Sequence, residues 1–353
     1  MSARSKTNLV LVLVLAVTAV AGALHYAGAN DVVIFVLSGA ALAGLAWVIA
    51  IATETVGERF GPAATGVLQS TLGNLPELFV VLFAVSAGEL VVAKTSIVGS
   101  LLANALLVLG LSIAAGARAA PDGVMSFKPR LPNDTATLLL LAVFVIALLG
   151  VSDQVGDPAS NHQVAISVVG AVCLLVVYGA WLWSYLRSDE PPTAEVGAAR
   201  PHVSFRFAIG LLAAGAVAAA LVSDWFVASL DPAVEAIGIS KAFTGLVIVG
   251  IAGNAVENVV GIWLAARRQS DLAISIVKNS VSQIAAFLFP LLVLLSLFFS
   301  SHLTFVLNPI YVIALVLTAI AVWQITGDGK AVLFEGLALV ALYVVVATLA
   351  FYE

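Results

Sequence analysis

The chain has 353 residues, 62% of them hydrophobic and only 10% charged, with a mean hydropathy of +1.12. That composition excludes a soluble globular domain and describes a polytopic membrane protein. A net charge of −5, spread over loops and apolar segments, implies no nucleic-acid partner, and the single cysteine, Cys173, excludes an intrachain disulfide.

Eleven apolar segments follow one another: 8–28, 32–53, 60–87, 90–115, 134–152, 161–186, 205–230, 240–266, 271–300, 303–325 and 331–352. The expected fold is all-α and polytopic, with about eleven transmembrane helices. In the first segment Arg4 and Lys6 precede a short apolar run, and Ala27-Gly28-Ala29 resembles a cleavage site. The favoured reading is a retained extra helix over 1–30. Several later segments exceed the length of a straight span, and they contain Pro76, Gly99, Gly250, Gly253 and Pro290. Tilted or broken helices are expected there.

The distribution of basic residues tests the count. With a cytoplasmic N-terminus and strict alternation, twelve of the fifteen Lys and Arg fall inside. Asp31, Asp153, Asp157, Asp231 and Glu235 fall outside, with Lys241 near an outer end. The C-terminus then lies on the opposite side. A polar stretch over 187–204 is the expected cytoplasmic linker between two five-helix units, 31–186 and 205–353. Five crossings is an odd number, so the units would be inverted repeats, an architecture common among secondary transporters.

The repeat has a chemical marker. Gly73-Asn74-Leu75-Pro76-Glu77 and Gly253-Asn254-Ala255-Val256-Glu257 stand 180 residues apart. The same offset aligns Ser100 with Ser280 and Ala105 with Ala285 without a gap. An ionisable residue inside hydrocarbon is a functional-site hypothesis by default. A single such Glu is often just a protonated group bonded to a neighbouring helix; a symmetric pair argues against that reading. Two carboxylates with amide and hydroxyl oxygens suit a hard cation such as Ca²⁺, Mn²⁺ or Mg²⁺, and no His/Cys cluster argues for zinc or copper. Unpartnered carboxylates are costly to keep charged in a membrane. An empty site would hold protons that a divalent cation displaces, which gives antiport from one shared site.

Asn74 and Asn254 precede each Glu by three residues, on the same helical face. Ser100, Ser280, Asn104 and Gln283 form a second polar cluster, readable either as ligands or as interhelical hydrogen bonding. Glu54 and Asp224, near helix ends, fit an access route for protons or cations, whereas Glu58 and Asp231 read as interfacial charges. Lys94 lies close enough to an outer end to snorkel. Lys278, two residues before Ser280, reads equally as a strained snorkelling cation and as an internal counter-charge on the pathway.

At these motifs the chain resembles the Ca²⁺/H⁺ exchanger (CAX) family of the calcium/cation antiporter superfamily. The resemblance rests on Gly73-Asn74-x-x-Glu77-Leu78 and on the run 94–104, then Ser223-Asp224, Gly253-Asn254-Ala255-Val256-Glu257, Asp271-Leu272-Ala273-Ile274 and Gln283-Ile284-Ala285. It covers nearly the whole chain. It implies that Glu77 and Glu257 bind Ca²⁺, with Asn74, Asn254, Ser100 and Ser280 nearby, and that Glu54 and Asp224 match acidic positions on flanking helices. It implies Ca²⁺ and H⁺ as transported substrates, no cofactor, and a multi-pass protein of a bacterial or archaeal plasma membrane. The oligomeric state is left open, a homo-oligomer included. The departures are Leu75-Pro76, which is closer to the sodium/calcium branch, Asn258 in place of a His, and Lys278-Asn279 ahead of Ser280. A Na⁺/Ca²⁺ or other cation/H⁺ antiporter is the alternative. An intramembrane enzyme lacks a recognisable nucleophile or metal motif, and a passive channel would not move Ca²⁺ uphill.

Overall fold

The computed structural model describes residues 3–57, 59, 72–186 and 204–353. Almost all of them are helical. The helices are α1 (Ala3–Tyr26), α2 (Asp31–Gly57), α3 (Leu75–Ser86), α4 (Leu90–Leu102), α5 (Leu109–Ala119), α6 (Arg130–Gln154), α7 (Gln163–Leu186), α8 (Phe205–Ala228) and α9 (Leu230–Ile237). A short turn, Lys241–Phe243, then leads to α10 (Gly250–Gly253), α11 (Ala255–Ala266), α12 (Ser270–Gln283), α13 (Phe289–Ser296), α14 (Pro309–Thr326) and α15 (Leu333–Phe351). π-helical turns at Ala103–Val108 and Ile284–Leu288 join α4 to α5 and α12 to α13, and a third, Thr244–Val249, precedes α10. Such turns are rare and concentrate at functional sites.

Among the described residues nine helical spans are long and apolar enough to cross a membrane. Each of the eleven expected segments has a helical counterpart. The other two are interrupted: the third, of which residues 72–86 are described, breaks at Asn74, and the eighth breaks at Asn254. Burial ranks the spans. Within the most apolar window, 89% of Leu90–Ala119 and 72% of Ser270–Ser296 is buried, against half or less for the other seven. These two spans, which carry Ser100 and Ser280, form the centre, and the rest surround it.

The offset of 180 reappears in three dimensions. It carries the bounds of α3 onto those of α11, the start of α4 onto the start of α12, and the end of one π-turn onto the end of another. It also relates two left-handed turns, Gly88 (φ 82°) and Arg268 (φ 62°). Glycine adopts that conformation freely, whereas Arg268 is held there while its Nε donates to Ala119 O at 2.6 Å.

The halves interlock through small residues. A Cβ added to Gly99 would fall 2.2 Å from Leu246 O, and one on Gly250 would fall 2.6 Å from the Gly99 carbonyl carbon. The backbones of α4 and the segment 244–253 therefore touch, the close approach that small residues permit between membrane helices. The extra helix α1 packs on α2 and α8, with Val14 over Gly44 and Trp225 over Gly22.

Two features depart from the expected segments. The tenth begins at Pro309, not at 303. Residues 303–308 are not helical, and 303–307 are buried, with Leu303 N donating to Ser296 Oγ (2.9 Å) and Phe305 N to Ser167 Oγ (3.2 Å). Asn308 then caps the helix, accepting from Ile310 N at 3.0 Å, with Pro309 in its first turn. Second, β1 (Val124–Ser126) pairs antiparallel with β2 (Lys330–Val332) and ties the first unit to the second. Glu58 and nearly all of the expected linker lie outside the described residues.

Candidate functional site

Each Gly-Asn-x-x-Glu motif interrupts its own helix. Asn74 (φ −92°, ψ 14°) and Asn254 (φ −111°, ψ 23°) leave the helical region, and α3 and α11 restart at the next residue. Glu77 and Glu257 consequently sit in the first turn of a helix, where free N–H groups favour an anion. Pro76 suits that first turn because its missing N–H would have no intrahelical partner.

The interlocked backbones bring the motifs together. Gly253 of the second motif abuts Glu77 of the first: a Cβ built there would lie 3.5 Å from Glu77 Cβ. Glu77 is completely buried, and neither carboxylate oxygen has a hydrogen-bond partner. The Ser100 hydroxyl and the Glu257 carboxylate are close enough to act on it electrostatically. Glu257 is only half-buried. Beside Glu77 lies a cavity of about 20 Å³, with Gly39 and Leu42 from α2, Pro76 and Val80 from α3, Phe226 from α8, and Ala252 and Gly253 from the break in the other half. It has room for one water molecule or one bare cation.

The amides around the pair are oriented by their own helices. Asn254 Nδ2 donates to Gly250 O (3.0 Å) and Asn104 Nδ2 to Ser100 O (3.0 Å), so in each the oxygen is the free end. Asn254 Oδ1 receives only a long contact from Ser280 Oγ (3.5 Å), and Asn104 Oδ1 and Ser100 Oγ are buried without partners. A buried acceptor left empty costs roughly 1–3 kcal/mol. Several together mark a place that a ligand or water completes. Among the described residues no three His, Cys, Asp or Glu side chains gather, so a cation here would take neutral oxygens beside the two carboxylates. That set matches a hard divalent ion.

The remaining expected positions are distributed as follows. Asn74, Ser280 and Gln283 are buried, the last at the start of a π-turn. Glu54 is in the last two turns of α2. Asp224 is exposed in the last turns of α8, while its neighbour Ser223 is buried with an unpartnered hydroxyl. Lys278 is buried and its Nζ donates to Pro132 O (2.7 Å) and Thr326 Oγ1 (2.7 Å), on α6 and α14. Ser280, two residues on, turns toward Asn254, so the two side chains leave α12 on opposite faces. Lys94 donates to Val306 O at 2.8 Å. Its neighbour Glu89 pairs instead with Lys241 (2.8 Å), which also meets Asp231 (2.7 Å). Buried hydroxyls of Ser38 and Thr53, without partners, were not singled out from sequence because a lone Ser or Thr in an apolar run carries no pattern.

The family model described as "Sodium/calcium exchanger protein" matches residues 30–186 and 207–352. A Ca(2+)/H(+) antiporter of Synechocystis sp. is 30% identical over 379 residues, covering 100% of this chain and 99% of that protein. The vacuolar calcium ion transporter of Schizosaccharomyces pombe is 32% identical, over 90% of this chain and 79% of its own. Among solved structures, native YfkE superposes with a TM-score of 0.82 at 27% identity, covering 98% of this chain and 100% of that one. The H+/Ca2+ exchanger CAX shares the fold, with a TM-score of 0.74 at 16% identity over 97% and 88% of the two chains. With two broken helices meeting at a pair of acids, the chain belongs to the sodium/calcium exchanger protein family and, within it, to the Ca²⁺/H⁺ exchanger branch.

Proposed function

We propose that this protein exchanges Ca²⁺ for H⁺ across a membrane by alternating access, with Glu77 and Glu257 holding either the cation or the protons. The observation that carries this is the Glu77 carboxylate: fully buried, unpartnered at both oxygens, and in contact with the break of the opposite half. Such a group is stable when it is protonated or when it binds a cation. Occupancy by one excludes the other, which couples the two fluxes without a second site. Asn74, Asn254, Ser100 and Ser280 complete the ligand set in this reading, and Asn104 and Gln283 lie on the route to it. The relatives named as Ca(2+)/H(+) antiporters support Ca²⁺ as the cargo. The units 31–186 and 205–353 are the two inverted repeats, the N-terminus is cytoplasmic, and the protein acts as a transporter with no cofactor. The alternative, a Na⁺-driven exchanger, has weaker support, since relatives of that branch share only 20% identity and the fold.

The test is proton flux in proteoliposomes driven in turn by gradients of Ca²⁺, Mn²⁺, Mg²⁺ and Na⁺. Flux with Ca²⁺ and none with Na⁺ is expected. Na⁺-driven Ca²⁺ movement without proton flux would reverse the assignment.

A further inference from the structure

An aromatic side chain forms part of the wall of the cavity beside Glu77. Phe226, in the last turn of α8, lines it together with Gly39, Leu42 and Val80. Its ring lies against α2 at Gly39, where an added Cβ would stand 3.6 Å from Cε2. Phe35, one turn nearer the start of α2, stacks on that ring with centroids 4.7 Å apart and planes inclined by 25°. Both side chains are buried. They come from different units, so a shift of one unit against the other separates them.

The pair stands between the carboxylate and one face of the protein. Glu77 is at the start of α3 and Val80 one turn on, and the chain then runs past Ser86 to Glu89. Lys241 bridges Glu89 to Asp231, just past the end of α8, so α3 and α8 end at the same face. There α2 begins, antiparallel to α8: Gly39 meets Phe226, and further along Ile49 meets Gly215. From Glu77 toward this face the cavity takes in Val80 and Phe226, and Phe35 stands one turn nearer the surface. Stripping a cation of water in such apolar surroundings is costly, and apolar constrictions close ion paths by excluding water.

We propose that Phe226 and Phe35 form a gate between the Glu77 cavity and the face of Asp31, Glu89 and Asp231. The gate is shut in this structure and parts when the units shift to exchange ions with that face. This rests on the exchanger reading above.

A second buried aromatic pair provides the control. Phe289 and Phe305 have the same centroid separation of 4.7 Å, but both belong to the second unit and neither lines the cavity. The test labels Val80→Cys, in a Cys173→Ala background, with a membrane-impermeant methanethiosulfonate applied from the Asp31 face. Adding Phe226→Ala is expected to raise the labelling rate at least about tenfold, equivalent to about 1.4 kcal/mol in the opening equilibrium. Adding Phe289→Ala should leave the rate nearly unchanged. No increase with Phe226→Ala, or an equal increase with Phe289→Ala, would overturn the proposal. Should Phe226→Ala fail to fold, Phe35→Ala takes its place with the same expectations.

A second measurement asks whether the pair must part. Phe35→Cys with Phe226→Cys, bridged by a short bifunctional methanethiosulfonate, is expected to lose Ca²⁺-driven proton flux and regain it on reduction. Flux that survives bridging would overturn the gate. Labelling needs no transport, so a wild type without Ca²⁺-driven flux would remove the exchanger reading and leave the labelling result as it stands.

Discussion

The two Gly-Asn-x-x-Glu motifs share backbone geometry and differ in their surroundings. Glu77 is completely buried, its oxygens without hydrogen-bond partners, beside a cavity lined mainly by apolar residues. Glu257 is half-buried, and its helix break is braced by side-chain amides from Asn254 and Asn258. The helix that follows differs as well. Gly99 lets α4 touch the opposite backbone, whereas the corresponding Asn279 carries an unpartnered buried Oδ1 and is preceded by Lys278. A repeat therefore supplies the frame of a two-acid site, and departures from the repeat give the two acids unequal exposure and unequal support.

That inequality can be broken experimentally. The largest effect is expected at the carboxylates. Glu77→Gln should lower Ca²⁺-driven flux by at least about 100-fold, or about 2.7 kcal/mol, with membrane insertion intact, because a neutral amide holds neither the cation's charge nor an exchangeable proton. Glu257→Gln should also abolish most exchange. Equal flux in wild type and Glu77→Gln would remove the site assignment. Next is the crossing of the halves. Gly99→Ala forces a methyl into Leu246 O and should destabilise by about 1–3 kcal/mol, read as a lower melting midpoint in detergent, whereas Asn279→Gly should be tolerated.

A smaller effect is expected at Lys278. Its two hydrogen bonds clasp α6 and α14 on the face of α12 away from Ser280, so Lys278→Met should cost about 1–3 kcal/mol of stability and change the KM for Ca²⁺ less than about twofold. A large change in KM would restore Lys278 to the ion pathway as a counter-charge. The smallest is at the paired left-handed turns. Arg268→Gly relieves about 1 kcal/mol of backbone strain and gives up one exposed hydrogen bond, so the melting midpoint should hardly move.

Much of this was legible in the sequence because a carboxylate in hydrocarbon is too costly to occur by chance, and two of them at a constant offset, each beside Asn and Gly, announce a repeated site. The helix count followed from apolar length and from the sidedness of Lys and Arg. Other features were not legible. The π-turns depend on how backbone bonds shift under packing, and the mostly apolar residues of Ala103–Val108 and Ile284–Leu288 look like any other stretch of membrane helix. The three-residue strands Val124–Ser126 and Lys330–Val332 are too short to show alternation. The targets of Lys278, and Glu89 as a partner of Lys241, are remote in sequence, so charge spacing along the chain could not reveal them. Residues 303–307 are as apolar as a membrane helix, and only their bonds to Ser296 and Ser167 mark them as a non-helical strap.

The central claim is that cation and protons share one pair of acids. Calorimetric titration of Ca²⁺ into the solubilised protein at pH 6, in two buffers with different protonation enthalpies, tests it directly. The predicted result is a binding heat that depends on the buffer in wild type, reporting protons released as Ca²⁺ enters, and that loses this dependence in Glu77→Gln. Binding of Ca²⁺ to the wild type with the same heat in both buffers would contradict it.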